Sequence, residues 1–327
     1  MSLIHTVLGP VHSDSLGTTL VHEHLVIGFP GWELDPLAGP TDRKKIVETC
    51  LKALKPVKNL GLTSIIDATP PDLSRDVEIM REVSEKSEIH IICATGRYDE
   101  AKGAWTYLKF KNRGDMGAIR EELYEGCMQE ITSGIGPLHI KPGVIKVATG
   151  LGHISPCEEA LLMAAARVSK ETGIPIITHT EDGTMGPEQA QLLTDEGADP
   201  NRIMIGHMCG NQSLDYHRSV LHRGVNIAFD RFGVDIFVSD TARIATLIAL
   251  LREGYAKNIM LSHDHVSATF GRGGIWPTHL LPQTVNWSFS HIFRHIIPAL
   301  KQEGIEDETI RTMIIDNPRR LFEGTAE

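Results

Sequence analysis

The sequence predicts an α/β protein that folds as a closed (β/α)₈ barrel, and three observations support this prediction. Eight short apolar runs alternate with segments of helical periodicity along the 327 residues. Runs such as residues 174–179 and 203–207 are almost continuously apolar, as strands buried on both faces must be. No Gly-rich dinucleotide motif follows any of these runs, which favours a closed barrel over an open doubly wound sheet.

The strands are expected where the apolar runs occur. Residues 3–17 contain Gly, Pro, Ser and Asp among a few apolar residues, and they predict a short lead-in hairpin or loop. The eight barrel strands are then predicted over residues 18–25, 63–67, 89–95, 143–148, 174–179, 203–207, 225–230 and 259–264.

The segments between the strands carry apolar residues at helical spacing. Asp42 is a suitable N-cap, for example, for a helix in which Ile46, Val47 and Leu54 share one face. A long connection follows the third strand. Helices are predicted from residue 43 onward and over 75–86, 116–131, 156–171, 187–196, 214–223 and 241–253, with two closing helices over 289–300 and 307–315.

Composition narrows the class of protein. A formal net charge of −10 argues against nucleic acid or an anionic membrane as a partner, because both require a basic surface. No run approaches eighteen apolar residues, and the first five residues lack a signal-peptide pattern, so we expect a cytoplasmic protein. The five cysteines are scattered, without CxxC spacing. No linker-like segment interrupts the series, which predicts one domain over residues 1–327.

Two histidines stand one residue apart near the end of the first predicted strand. Because side chains alternate along a strand, His22 and His24 are expected on one face and Glu23 on the other. Two imidazoles on one face form a metal site only if further ligands reach them from other parts of the chain.

Further metal-capable residues stand at the ends of other predicted strands. The carboxyl ends of all the strands of a (β/α)₈ barrel lie on one rim, where catalytic residues collect. Four histidines and an aspartate form a ligand set suited to Zn²⁺, Co²⁺, Mn²⁺ or Fe²⁺. The residues that we expect on this rim are His22, His24, Lys146, His179, His207 and Asp264.

Lys146 differs from the other members of this set. A lysine ammonium has three donors and no lone pair, so it cannot ligate a metal as it stands. Buried beside two cations, the amine would have to be neutral, and a neutral amine can add CO₂ to form a carbamate. The two oxygens of that carbamate could bridge two metal ions.

Together these motifs resemble the amidohydrolase superfamily, and more closely the phosphotriesterase family and its phosphotriesterase-like lactonase branch. The resemblance covers nearly the whole chain, and the motifs are highly specific as a set. The matching segments are VHEHL at 21–25, GVIKVA at 143–148, ITHT at 177–180, IGHM at 205–208, SHD at 262–264 and NPRRLF at 317–322.

The resemblance implies a TIM-barrel hydrolase with two divalent metal ions, with zinc expected first and cobalt, manganese or iron as alternatives. A hydroxide and an N6-carboxylated Lys146 would bridge the two ions. The resemblance also implies a homodimer. The other implied ligands are His22, His24 and Asp264 for one ion, and His179 and His207 for the second.

The implied reaction is the hydrolysis of lactones, with N-acyl homoserine lactones among the candidates and with promiscuous phosphotriesterase activity. Asp264 would take a proton during attack and pass it to the leaving group. Arg231 lies in a segment, FDRFG, that resembles the lactonase branch, and Tyr98 matches a tyrosine that contacts the lactone in that branch. Residues 270–276 have the character of a lid or an acyl-chain channel.

Other functions remain open at this stage. The same site could act on a phosphotriester, on another carboxylic ester or on an amide. A mononuclear deaminase of the same superfamily generally lacks the strand-four lysine and carries a glutamate near the strand-five histidine. In this chain Glu181 is close to that histidine but not in the usual place. A binding protein that has lost its chemistry is disfavoured, because unused buried charges are costly.

One departure from the family pattern affects the expected proton relay. Many relatives carry an aspartate shortly after the strand-six histidine, whereas this chain reads His207-Met208-Cys209-Gly210-Asn211. The relay that this aspartate is thought to extend is therefore missing or rebuilt.

Overall fold

A single parallel sheet organises the protein in the computed structural model, which describes residues 2–324. Met1 and residues 325–327 of the expected domain lie outside the described residues. An antiparallel hairpin precedes the sheet, with Leu3 paired to His12, which confirms the predicted lead-in. The strands are β1 (Leu3–Thr6), β2 (Gly9–His12), β3 (Thr19–Ile27), β4 (Ser64–Asp67), β5 (His90–Gly96), β6 (Val144–Thr149), β7 (Ile176–Thr180), β8 (Ile203–Ile205), β9 (Asn226–Phe229), β10 (Ile259–Leu261) and β11 (Val266–Thr269).

The sheet closes on itself through its last two strands. β3 to β10 lie side by side in chain order, and β11 pairs in parallel with β3. β10 and β11 are two pieces of one chain segment, and the residues between them bond to β3 as well. The N–H of Asp264 donates to the carbonyl of His22 at 3.0 Å, and the N–H of His24 donates to the carbonyl of His265 at 2.8 Å. The predicted (β/α)₈ barrel is therefore confirmed.

Helices follow the barrel strands and pack around the sheet. Asp42 caps the first of them by accepting from the N–H of Lys45, as its position in the sequence predicts. No helix within residues 2–324 is long and apolar enough to cross a membrane. The helices are α1 (Arg43–Lys58), α2 (Val77–Ser87), α3 (Thr106–Lys111), α4 (Met116–Ser133), α5 (Pro156–Thr172), α6 (Gly186–Asp195), α7 (Leu214–Leu221), α8 (Asp240–Arg252), α9 (Ile297–Gln302), α10 (Asp307–Arg311) and α11 (Asn317–Glu323).

The last helical segment is longer than the sequence predicts. We expected it to end near residue 315, ahead of the Asn317-Pro318 pair. Instead, a π-helical turn over Thr312–Asp316 joins α10 to α11, and the segment continues to Glu323. Pro318 stands in the first turn of α11, where its missing N–H and fixed φ are tolerated.

The amino-terminal half of the barrel interior is apolar. Ile4 of β1 and Leu321 of α11 join the cluster that fills it, so the hairpin and the last helix plug that end. Polar groups of the interior are thereby restricted to the carboxyl end of the strands. The residues that the barrel strands contribute to this cluster are Val21, Ile66, Ile92, Ala94, Val144, Ile177, Met204, Ala228 and Met260.

Glu23 fixes the gap between β10 and β11. Its Oε1 accepts from the hydroxyl of Ser262 at 2.8 Å and from the backbone and ring N–H groups of His263 at 3.0 and 2.8 Å. Its Oε2 accepts from the N–H of His265 at 2.8 Å. Because Glu23 is fully buried, no water molecule can take its place as the acceptor for these donors. One side chain of β3 therefore holds the backbone on both sides of Asp264.

We predict that Glu23→Ala lowers the free energy of unfolding by about 3 kcal/mol, because it leaves several buried donors without an acceptor. Urea denaturation followed by circular dichroism measures the change. Glu48→Ala, on the exposed face of α1, is the control and is expected to change stability by less than about 0.5 kcal/mol. Equal stabilities for the two variants would contradict this role of Glu23.

Candidate active site

The six rim residues that the sequence singles out lie together at the carboxyl end of the barrel. All of them are buried or nearly so, and all except the fully buried His207 line one cavity. His22 and His24 belong to β3, Lys146 to β6 and His179 to β7, whereas His207 follows β8 and Asp264 follows β10.

A local irregularity in β3 aims both of its histidines inward. The pairing of β3 with β4 shifts between Leu20 and Glu23. Val21 packs in the apolar interior cluster, and the next residue, His22, lines the cavity. Because of the shift, these two consecutive side chains both face the interior, while Glu23 points away toward the β10–β11 gap. His24 then lines the cavity as well.

The sequence predicts that two strands extend as far as His207 and Asp264. In the structure, both residues lie just beyond the ends of these strands. Their φ angles are 56° and 53°, in the left-handed region that residues other than glycine rarely occupy. Such strained backbone concentrates at functional sites. The observed β8 and β10 therefore end at Ile205 and Leu261, earlier than predicted, because the chain turns to direct these two side chains toward the other rim residues.

One group of polar atoms gathers around the two histidines of β3. His24 Nε2 lies 3.1 Å from Asp264 Oδ1, and His22 Nε2 lies 3.7 Å from the same oxygen. Lys146 Nζ lies 2.7 Å from His22 Nε2. His22, His24 and Asp264 each offer a ligand atom within 4.8 Å of the others, close enough for one ion to contact all three.

A second group consists of His179 and His207. His179 Nδ1 lies 2.9 Å from His207 Nε2. His207 Nδ1 lies 3.0 Å from Asp230 Oδ1, and His179 Nε2 lies 2.9 Å from Glu181 Oε2. Each carboxylate accepts, so in the neutral rings the proton is on these outer nitrogens. The two facing nitrogens therefore both present lone pairs, which is the arrangement that a shared cation satisfies. The donor set fits a metal ion.

Asp230 orients a histidine in each group. Its Oδ2 accepts from His22 Nδ1 at 2.8 Å, and its Oδ1 accepts from the ring and backbone N–H groups of His207 at 3.0 and 2.9 Å. Carboxylates in this position fix the tautomer of metal-ligating histidines. The sequence placed Asp230 at the end of the seventh strand without a role. Its position on the rim, beside Arg231, was the available signal.

Burial keeps the basic groups of the site in the forms that bind metals. Desolvation is the largest cause in each case: it lowers the pKa of His179 to about 3 and lowers the pKa values of His22 and His207 as well. Desolvation also lowers the pKa of Lys146 to about 8, although the carboxylates of Asp264 and Asp230 oppose the shift. Neutral imidazoles and a readily deprotonated amine are the states that metal ligation or carbamate formation requires.

Tyr98 and Arg231 flank the metal-capable groups. The ring of Tyr98 meets that of His179 edge-on, with 5.0 Å between centroids. Its backbone is held on both sides, because its N–H donates to Asp72 at 3.1 Å and its carbonyl accepts from Trp105 Nε1 at 3.0 Å. Arg231 Nε donates to Asp264 Oδ2 at 3.2 Å. Arg231 therefore contacts a proposed metal ligand and is not free to bind substrate alone.

The cavity above these groups has a volume of about 240 Å³, and both polar and apolar side chains line it. Lys102, Glu181, Tyr98 and Arg231 are among the polar ones. The loop after β11 contributes Ile275 and Trp276, the part of the predicted 270–276 lid that reaches the cavity. The apolar residues also include Ile27, Phe29, Leu73, Val234, Phe237, Val266 and Trp287.

Gly210, the departure noted in the sequence, lies against the turn that follows β7. A Cβ atom at Gly210 would lie 2.9 Å from the carbonyl carbon of Asp182 and 3.1 Å from its oxygen. Both are backbone atoms, so they cannot move aside cheaply. The fold therefore excludes an aspartate at this position as long as the Glu181–Gly183 turn keeps its place.

The carboxyl rim of this (β/α)₈ barrel carries buried histidines, two of them with facing lone pairs, together with carboxylates. This combination defines a metal-dependent hydrolase. The comparison with known proteins agrees and is more specific. Residues 2–322 match the model of the Phosphotriesterase family. The chain belongs to this family, and it is a hydrolase of ester bonds.

Curated relatives with two activities cover nearly the whole chain. An aryldialkylphosphatase from Saccharolobus solfataricus is 31% identical over 95% of this chain and 96% of its own length. A phospho-furanose lactonase from Mycoplasmopsis synoviae is 29% identical over 97% of this chain and 90% of its own length.

Solved structures agree with the fold at higher identity. The organophosphorus hydrolase from Deinococcus radiodurans is 44% identical and superposes with a TM-score of 0.94 over 98% of this chain and 96% of its own. Another structure, from work on engineering organophosphate hydrolysis from a weak promiscuous lactonase template, is 43% identical with a TM-score of 0.94, over 98% of this chain and 100% of its own.

We predict that Asp230→Asn weakens metal binding by about 10–100-fold. The asparagine amide has one oxygen acceptor, whereas the ring N–H groups of His22 and His207 each need an acceptor. Metal content after dialysis against graded chelator concentrations measures the effect. Asp215→Asn is the control, because Asp215 is an exposed residue of α7 that pairs with Arg218 of the same helix. Unchanged metal retention in Asp230→Asn would show that the carboxylate does not orient the two histidines for a metal.

Proposed function

We propose that this protein is a two-metal lactonase that opens lactones, N-acyl homoserine lactones among them, and hydrolyses phosphotriesters more slowly. The proposal rests on the unpaired hydroxyl group of Tyr98 in the cavity. This hydroxyl has no hydrogen-bond partner among residues 2–324, and the side chain lines the cavity beside His179. An unpaired phenol next to the metal-capable groups is placed to donate to an oxygen of the substrate.

The proposed ligand set follows from the two groups of polar atoms. Held there, two divalent cations, zinc foremost, would lower the pKa of a shared water and polarise the reacting oxygen of the substrate. Lys146 would bridge the groups as a carbamate, since its buried Nζ lies 2.7 Å from His22 Nε2 and cannot ligate as an ammonium. The first group would use His22, His24 and Asp264, and the second His179 and His207.

Asp264 is the proposed proton carrier. Its Oδ1 faces His24 and His22, whereas its Oδ2 accepts from Arg231 at 3.2 Å and lies 3.7 Å from His207 Nε2. The guanidinium of Arg231 fixes the orientation of the carboxylate, which would take up the proton that attack releases. Asp264 would then pass this proton to the departing oxygen.

Tyr98 is the feature that favours lactones over phosphotriesters. Opening a lactone expels an alkoxide, which is far more basic than the aryloxide of an activated phosphotriester and needs a donor as it leaves. Desolvation raises the pKa of Tyr98 well above its ordinary value, so the phenol stays protonated. The lactonase names among the relatives support the same substrate class for this chain.

The second candidate is a phosphotriesterase, favoured by the relative named aryldialkylphosphatase. An ester or amide hydrolase with another small substrate would use the same groups. The mononuclear deaminase is disfavoured, because Lys146 lies 2.7 Å from His22 Nε2, inside the metal-capable cluster.

Kinetics on a panel of substrates separates these functions. We expect kcat/KM for γ- and δ-lactones, with and without an acyl-amino substituent, to exceed that for paraoxon by at least about tenfold. The zinc-loaded enzyme is assayed with a pH indicator for the lactones and by release of nitrophenol for paraoxon. Faster turnover of paraoxon than of any lactone would reverse the order of the two candidates.

We predict that Tyr98→Phe lowers kcat for lactones by about 10–100-fold, because the leaving alkoxide loses its donor. Paraoxon turnover should fall by less than about threefold, since its aryloxide leaves without help, and the metal content should stay the same. Tyr107→Phe serves as the control, because Tyr107 is an exposed residue of α3. Equal losses on both substrates would mean that Tyr98 only shapes the cavity.

A further inference from the structure

The glutamate that follows the β7 histidine contacts that histidine directly. Glu181 Oε2 lies 2.9 Å from His179 Nε2, on the opposite side of the ring from His207. The same oxygen accepts from Lys102 Nζ at 2.5 Å. Both residues line the cavity, so the pair forms part of its polar lining. Neither the family assignment nor the relatives give Glu181 a role.

The backbone around Glu181 is built to place it there. Glu181 begins a tight turn in which Asp182 has a φ of 52°. This turn packs on the residues after β8: a Cβ at Gly183 would lie 2.8 Å from the N–H nitrogen of Asn211, and one at Gly210 would lie 2.9 Å from the carbonyl carbon of Asp182. Two glycines therefore allow the two segments to approach each other this closely.

We propose that Glu181 is a positioning residue for the second metal ion, which it serves by fixing the orientation of His179. This inference rests on the proposed two-metal site. Glu181 stands in the turn directly after β7, and Gly210 has no room for a side chain where it packs against that turn.

The contact sets which nitrogen of His179 binds metal. A carboxylate can only accept, so the ring N–H must be at Nε2, and the lone pair of Nδ1 then faces His207 Nε2. Lys102 holds the carboxylate in this orientation and neutralises its charge. Without that ammonium, Glu181 could turn into the cavity and compete for the metal itself.

Glu181→Gln tests the inference with almost no change in volume. Its amide group can donate as well as accept, so it no longer selects one tautomer of His179. Zinc-loaded wild type and variant are titrated with a chelator, and the zinc retained is measured by mass spectrometry. We expect the variant to lose one of two zinc ions at a chelator concentration about tenfold or more below that for wild type. Excess zinc should restore lactone turnover.

Asp182→Asn is the matched control, one residue further in the same turn. Among residues 2–324, its carboxylate contacts none of the proposed metal ligands, so zinc retention should equal that of wild type. Gly210→Ala is the second test, because its Cβ must displace the turn that carries Glu181. It should weaken the second zinc in the same direction as Glu181→Gln.

Two outcomes separate this inference from the proposed function. If wild type binds two zinc ions and Glu181→Gln retains both as firmly, with an unchanged melting temperature, the role of Glu181 is wrong and the two-metal site stands. If wild type binds fewer than two, the proposed function fails first. Weakening of the second zinc in Asp182→Asn to the same extent as in Glu181→Gln would also overturn the inference, since a general loss of the turn would then explain both results.

Discussion

The carboxylate of Asp230 is the constraint on which the rest of the site depends. It is fully buried at the end of β9, and it accepts from the outer ring nitrogens of both His22 and His207. Since each oxygen takes one ring N–H, both histidines must present Nε2 toward the other rim residues. The carboxylate of Asp230 thus aligns proposed ligands from two other strands, His22 and His207. The metal ions that these histidines would bind offset its negative charge.

The barrel separates the residues that stabilise it from those that react. Its amino-terminal half is filled with aliphatic side chains and plugged by the first hairpin and α11. In the other half, buried polar residues hold the backbone at the site: Glu23 fixes the backbone around Asp264, and Asp72 with Trp105 fixes that of Tyr98. Much of the cavity wall comes from loops, which can vary without disturbing this frame.

The sequence predicted the barrel because buried parallel strands leave a clear signal, a short apolar run, and it predicted the rim residues because they stand where those runs end. It did not reveal how the rim residues contact one another. The paired bonds of Asp230 depend on packing across three strands, and the Glu181 contact depends on the left-handed turn at Asp182. The extension of the last helix through Pro318 was missed as well, because a π-helical turn has no sequence periodicity of its own.

We propose that Lys146 bridges two metal ions as a carbamate, and a combined measurement of metal content and carbamate tests this proposal. Protein loaded with zinc in ¹³C-labelled bicarbonate is analysed for metal content and by ¹³C NMR. Two zinc ions per chain, with a carbamate resonance that is absent from Lys146→Ala and disappears when the metal is removed, are the predicted result. A fully active enzyme with one zinc ion per chain and no carbamate resonance would show that Lys146 does not bridge two metal ions.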